Sequence, residues 1–238
     1  MSDDPLHPRP VDRALDRNFR HGQSMEPNYS GATSFLRRRY AKDGGGAEAV
    51  VWGIPLDVTV SNRPGTRFGP RAIRAASAIL DGDEFYPFGF DPFAALDVAD
   101  AGDCVFDYGL PYSIPAAIEA QAAQHFARGS HLVTLGGDHF LTYPVLKALV
   151  AHLGEPIALV QFDAHQDTWD DDGTRVDHGT MITRAVKDGL IRVDRSVQVG
   201  IRTHAPETYG IDVLHGFDAA DLGPPRRRHR RSRRRKRS

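Results

Sequence analysis

Short apolar runs recur along the chain, separated by stretches in which apolar positions return every three or four residues. The runs at 48–54 (EAVVWGI), 131–135 (HLVTL), 157–162 (IALVQF) and 196–201 (SVQVGI) predict buried strands, and 95–99 (ALDVA) a shorter one. The intervening periodicity predicts helices over 70–80, 114–128, 142–152 and 180–188. Pro70 and Pro115 fall in first turns, and Gly129 lies just past an end. Apolar strands alternating with helices indicate an α/β fold: three layers, helix–sheet–helix, around a mostly parallel central sheet. In such sheets ligands bind beyond the carboxyl ends of the strands, so polar clusters there carry the most information.

Two such clusters follow. The run at 131–135 leads into Gly136-Gly137-Asp138-His139-Phe140, and the run at 157–162 into Asp163-Ala164-His165-Gln166-Asp167. Spacing by two on an extended backbone points Asp163, His165 and Asp167 the same way. Carboxylates gathered on one face cost several kcal/mol each (of order) unless a cation joins them. A divalent metal is the expected partner, with His139 as a further ligand. Carboxylate and imidazole donors without cysteine favour Mn over a structural Zn, without excluding Zn or Fe. The plainer alternatives are that the GGDH segment is a strand-to-helix turn whose Asp caps the helix, and that D-x-H-x-D is a solvated loop. His178, just before the helix at 180–188, reads either as a capping surface histidine or as a functional group. The Gly- and Arg-rich loop at 61–69 reads as an anion cradle or as a structural rim, and these alternatives stay open on the residues alone.

Composition narrows the class. The chain has 238 residues and one cysteine, Cys104, so neither an intrachain disulfide nor a thiolate metal cage forms, and a reducing cytoplasm fits best. No apolar run approaches a membrane span, and the acidic, proline-bearing N-terminus has no secretory h-region. The formal charge of −1 hides an asymmetry: residues 226–238 hold ten of the thirty basic residues and no acid. The rest of the chain is strongly acidic, which attracts cations and cationic substrates. Three segments are expected: an N-terminal arm over 1–45 with little structure of its own, a domain over 46–217, and a disordered basic tail over 218–238. The tail could bind phosphate backbones, but it lacks aromatics, and a nucleic-acid role is not expected.

GGDHF at 136–140 and FDAHQD at 162–167 resemble two of the three metal-binding motifs of the ureohydrolase family, the arginases and agmatinases. The likeness extends to Gly53-Ile54-Pro55-Leu56-Asp57 and to the run from Arg63 to Arg74. Asp177-His178-Gly179-Thr180-Met181, Ser196 to Arg202 and Met25 to Gly31 resemble the agmatinases in particular. The resemblance implies an arginase-like fold and two Mn ions: one held by His139, Asp163 and Asp167, the other by His165, with Asp163 bridging. It implies His178 and Asp167 as proton-handling catalytic residues, a small guanidino substrate (agmatine first, 4-guanidinobutyrate or another guanidino acid second), and trimers or hexamers. Gln166 stands where the family usually has Thr, with little effect expected. The family's third motif, S-x-D-x-D-x-x-D-P, and a later Glu have no counterpart here. The expectation is a chain truncated or frame-shifted near 222–226, lacking its last strands, binding Mn weakly and turning over little, or a non-catalytic remnant.

Overall fold

The computed structural model describes residues 29–79, 84–175 and 177–222. The first part of the expected arm, to residue 28, and the tail from 223 onward lie outside the described residues.

Among the described residues six strands and five α-helices follow one another, alternating as far as β5: β1 (Ala49–Gly53), α1 (Gly69–Ser77), β2 (Val98–Asp103), α2 (Ile114–Ala127), β3 (His131–Leu135), α3 (Thr142–Leu153), β4 (Val160–Phe162), α4 (Met181–Lys187), β5 (Val197–Ile201), β6 (Asp212–His215) and α5 (Gly216–Leu222). All strand pairings are parallel, and helices flank them, as the alternation predicts. The strands form two three-stranded sheets, ordered β2-β1-β3 and β4-β5-β6, where the sequence predicts one central sheet. Among the described residues no strand pairs with the free edge of β3 or of β4.

β1 shows why its run is apolar throughout. Val50 and Trp52 point into the main core with Ile54, Ile114, Ile118, Phe126, Phe140, Met181 and Ile182. Ala49 and Val51 point the other way, against Val98 and Leu135, with Phe35 and Phe93 packed over them. β3 and β4 differ because each lies at a sheet edge. Val133 is 47% exposed, Val160 60% and Phe162 80%. The residues expected at 157–159 do not join β4; Ile157 instead bridges Ile191.

β2 runs three to four residues later than predicted, because its acids disguise it. Asp100 is fully buried and accepts from Arg74 Nε at 2.7 Å and Nη2 at 3.0 Å, while Arg74 Nη1 reaches Asp103 at 2.6 Å. A carboxylate paired in this bidentate way can occupy an interior strand position. Residues 34–41, counted in the arm by sequence, are packed. Ser34 and Leu36 are buried, and Ala41 N–H donates to Asp100 O at 2.8 Å, so this segment extends the sheet beside β2. Helix α5 spans position 217, where the sequence ended the domain. No helix among the described residues is long and apolar enough to cross a membrane.

Candidate metal centre

The two sheets meet at the carboxyl ends of β3 and β4. After β3 the chain passes under the β1 loop so closely that position 137 requires glycine. Gly137 has φ +101°, and a Cβ there would lie 2.3 Å from the Ile54 carbonyl oxygen. Asp138 N–H then donates to Leu56 O at 2.7 Å, which anchors the turn. The Asp138 carboxylate is buried and accepts from Phe140 N–H at 3.1 Å, from Thr59 N–H at 2.7 Å and from the Thr59 hydroxyl at 2.6 Å. Asp138 is thus the capping residue of the plainer reading. Its neighbour His139 turns toward the second sheet.

There His139 Nδ1 lies 2.9 Å from Asp167 Oδ2 and 3.3 Å from Asp163 Oδ2. Ligand atoms of His139, Asp163 and Asp167 all fall within 4.8 Å of one another. His165 stands apart from this trio. Its side chain is 65% exposed and its Nδ1 lies 3.4 Å from the other oxygen of Asp163, Oδ1. Asp163 therefore faces a histidine with each oxygen. The extended backbone that the spacing argument assumed ends at Phe162. Beyond it the chain is irregular, and Asp167 adopts the left-handed region, φ +53°, which L-residues enter at a cost.

Electrostatics at the trio favour a positive charge. Burial works against a charged His139, yet the hydrogen bond to Asp167 and the charges of Asp167, Asp163 and Asp138 outweigh it and raise its pKa. Burial likewise works against a charged Asp163. The His165 backbone N–H, the His139 charge and Gln161 overcome it and hold its pKa below the usual carboxylate range. Two oxygens and an imidazole nitrogen, so close and so polarised, fit a divalent cation of the hard to borderline class. Cysteine has no part in it: Cys104 is buried, its thiol pushed up to about 12 by desolvation.

Two glutamines that sequence reasoning missed support the trio. Gln161 Nε2 approaches Asp163 Oδ2 at 3.4 Å, His165 O at 3.3 Å and Asp167 Oδ2 at 3.3 Å. Its own oxygen accepts from Gln198 Nε2 at 2.8 Å, and the same Nε2 donates to Gln166 O at 2.7 Å. Buried amides at alternate positions of two paired strands, Gln161 opposite Gln198, were the available signal. Gln166 is buried as well.

His178 does not cap α4, whose N-cap is Thr180. Its Nδ1 lies 3.3 Å from the Thr59 hydroxyl. The turn that carries it is tied to the Asp167 loop by Trp169 N–H donating to Gly179 O at 3.0 Å and Ile182 N–H donating to Asp167 O at 3.1 Å. The loop at 61–69 is braced against Asp57. Arg67 Nε donates to Asp57 Oδ1 at 2.6 Å and Gly65 N–H to Asp57 Oδ2 at 2.9 Å. That leaves the Arg67 charge neutralised within its own loop.

Comparison with known proteins gives the site a context. The arginase family model matches residues 47–229. The chain is 47% identical over 215 residues to an agmatinase of Chromobacterium violaceum, spanning 90% of this chain and 66% of that one, just under two thirds of its length. Among solved structures, a hypothetical agmatinase from Burkholderia thailandensis superposes with a TM-score of 0.83 at 47% identity, covering 90% of this chain and 67% of the other. Proclavaminate amidino hydrolase from Streptomyces clavuligerus gives a TM-score of 0.73 at 31% identity, with coverages of 83% and 68%.

Proposed function

The chain belongs to the arginase family, and on that premise we propose that it is built to hydrolyse agmatine to putrescine and urea at a pair of Mn ions. The observation that carries this reading is the meeting of His139, Asp163 and Asp167 from the ends of two separate sheets. Such a gathering of one buried and one half-buried carboxylate is costly without a cation between them.

In this reading His139, Asp163 and Asp167 would hold one ion, and His165 together with Asp163 would hold the other. When bound, such a pair acidifies water and so supplies a nucleophile at neutral pH. The remaining work falls to the protein. The acidic body, 31 acidic against 20 basic residues over positions 1–225, draws in the guanidinium. Asp167 accepts the proton that the attacking water gives up. As the water oxygen bonds to the guanidinium carbon and the bond to the alkyl nitrogen breaks, His178 delivers a proton to the departing amine. Water plus guanidinium then balances as urea plus an alkylammonium.

The test is Mn binding by calorimetry together with urea release from agmatine, and from 4-guanidinobutyrate to set the substrate. Asp163→Ala should abolish both, because it touches both ions; normal Mn content in that variant refutes the assignment. A second reading, metal binding without turnover, is favoured by the edges of β3 and β4 flanking the site, which no strand among the described residues pairs. Mn uptake without urea release selects it.

A further inference from the structure

We propose that Thr59 is a positioning residue for His178: its hydroxyl links the imidazole to the Asp138 carboxylate and fixes the ring in the tautomer that leaves Nε2 without a proton. The inference rests on the reading of His178 as a proton carrier, and goes beyond it by saying which nitrogen is free.

The argument is one of donors and acceptors. Thr59 is held in place first by its backbone, whose N–H donates to Asp138 Oδ2 at 2.7 Å. Its Oγ1 lies 2.6 Å from both Asp138 oxygens. Each of those oxygens already faces a backbone N–H, Oδ2 that of Thr59 and Oδ1 that of Phe140 at 3.1 Å. Backbone N–H groups only donate, and an ionised carboxylate only accepts. The single hydroxyl proton of Thr59 is therefore directed at Asp138. What the hydroxyl then offers to His178 Nδ1, 3.3 Å away, is a lone pair. An unprotonated Nδ1 would bring two lone pairs together, so Nδ1 carries the proton. In the neutral ring Nε2 is then the acceptor, the nitrogen able to take up and return a proton.

The geometry sets this polarity from a buried point. Asp138 is 1% exposed and fastened to the β1 loop through Leu56 O, so it cannot reorient to accommodate the opposite tautomer. The same residue precedes His139. One buried carboxylate thereby fixes both the turn that presents a metal ligand and, through Thr59, the imidazole of the proton carrier. The second-neighbour partners of functional histidines commonly act by selecting a tautomer in this manner.

The experiment reads the tautomer directly. Protein with ring-15N histidine is examined by two-bond 1H–15N NMR well above the pH at which histidine titrates, and the His178 signals are assigned by their loss in His178→Gln. The native chain and Thr59→Ser should show Nδ1 protonated and Nε2 bare. Thr59→Val, which keeps the shape and loses the hydroxyl, should shift the proton to Nε2 or to a mixture; Thr59→Ala serves if valine compromises folding. With agmatine, Thr59→Val should lose about 10- to 100-fold in kcat with KM little changed, and Thr59→Ser should recover it. A native His178 with its proton on Nε2, or a Thr59→Val ring that keeps Nδ1 protonated, overturns the proposal. The ring signals need neither metal nor substrate, so a chain that released no urea would refute the proposed function and leave this inference to be judged on the spectra.

Discussion

Replacing Gln161 with leucine separates support of the metal centre from ligation of it. The amide donates toward three acceptors, Asp163 Oδ2, His165 O and Asp167 Oδ2, at 3.3–3.4 Å, the long end of the hydrogen-bond range. Two N–H groups are shared among these three acceptors, so two bonds are assigned the low end of the usual net value, about 0.5 kcal/mol each, or about 1 kcal/mol together. That corresponds to about a fivefold loss in Mn affinity if the amide acts by holding two mutually repelling carboxylates in register. It falls just below the range of about 10- to 100-fold for outer partners of metal ligands. Calorimetric Mn titration of the native chain and Gln161→Leu measures it, with backbone circular dichroism to confirm folding. The sign is informative. An amide also competes with a cation for carboxylate lone pairs, and if that effect dominated, Gln161→Leu would bind Mn more tightly. Equal or tighter binding in a folded variant refutes the register argument.

Other perturbations bear on the frame of the site. Arg74→Met should cost about 3–5 kcal/mol, because it leaves Asp100 charged and fully buried; the melting temperature should fall by about 6–20 °C, and a shift under 2 °C (about) would mean that Asp100 is served by its backbone donors alone. His125 is buried with no partner for Nδ1 among the described residues, and burial, then the Arg128 charge, lowers its pKa. The unfolded chain therefore binds more protons than the native one as pH falls below about 6.5, so this contribution to stability is present above that pH and is lost on acidification toward the lower folded value. Thermal melts of His125→Leu from pH 7.5 to 5.5 (about) should show a flatter pH dependence than the native chain. Gly137→Ala forces a Cβ into the Ile54 carbonyl at φ +101° and should cost about 2 kcal/mol or more, displacing His139 and lowering Mn uptake along with the melting temperature.

What the sequence disclosed follows from what each signal depends on. β1, β3 and the four helices were readable from their apolar runs and from Pro and Gly near their ends, although α1 also buries Arg74 and Ser77. β2 was misplaced by a few residues because Asp100 is interior through partners distant in sequence, Arg74 at 26 positions and the Phe35 N–H at 65. The edge positions of β3 and β4 could not be read, since an apolar run looks the same whether one face or both are covered. At the site, His139, Asp163 and Asp167 stood out as polar residues at strand ends. Thr59 did not: its partners Asp138 and His178 are 79 and 119 positions distant. Gln161 and Gln198 were hidden inside runs whose apolar character defined the strands.

The spacing of Asp163 and Asp167 also pointed to the right residues by an incomplete argument. On an extended strand, positions four apart share a face, but they stand about 13 Å apart at 3.3 Å per residue, too far to serve one cation. Alternation alone would spread these carboxylates along an edge. The structure brings both to a single imidazole nitrogen, at 3.3 and 2.9 Å, because the chain leaves the sheet after Phe162 and curls back through a left-handed Asp167. A curl with its two ends turned inward carries its middle outward, and His165 is accordingly the exposed member, 65% accessible and against the far oxygen of Asp163. The backbone strain at Asp167 is thus the local cost of converging two acids from one short segment. It is held by the Ile182 N–H, which donates to the Asp167 carbonyl at 3.1 Å from the first turn of α4, the helix whose leading turn also presents His178. The groups proposed to bind the metal and to move the proton are therefore fastened to one another through the backbone.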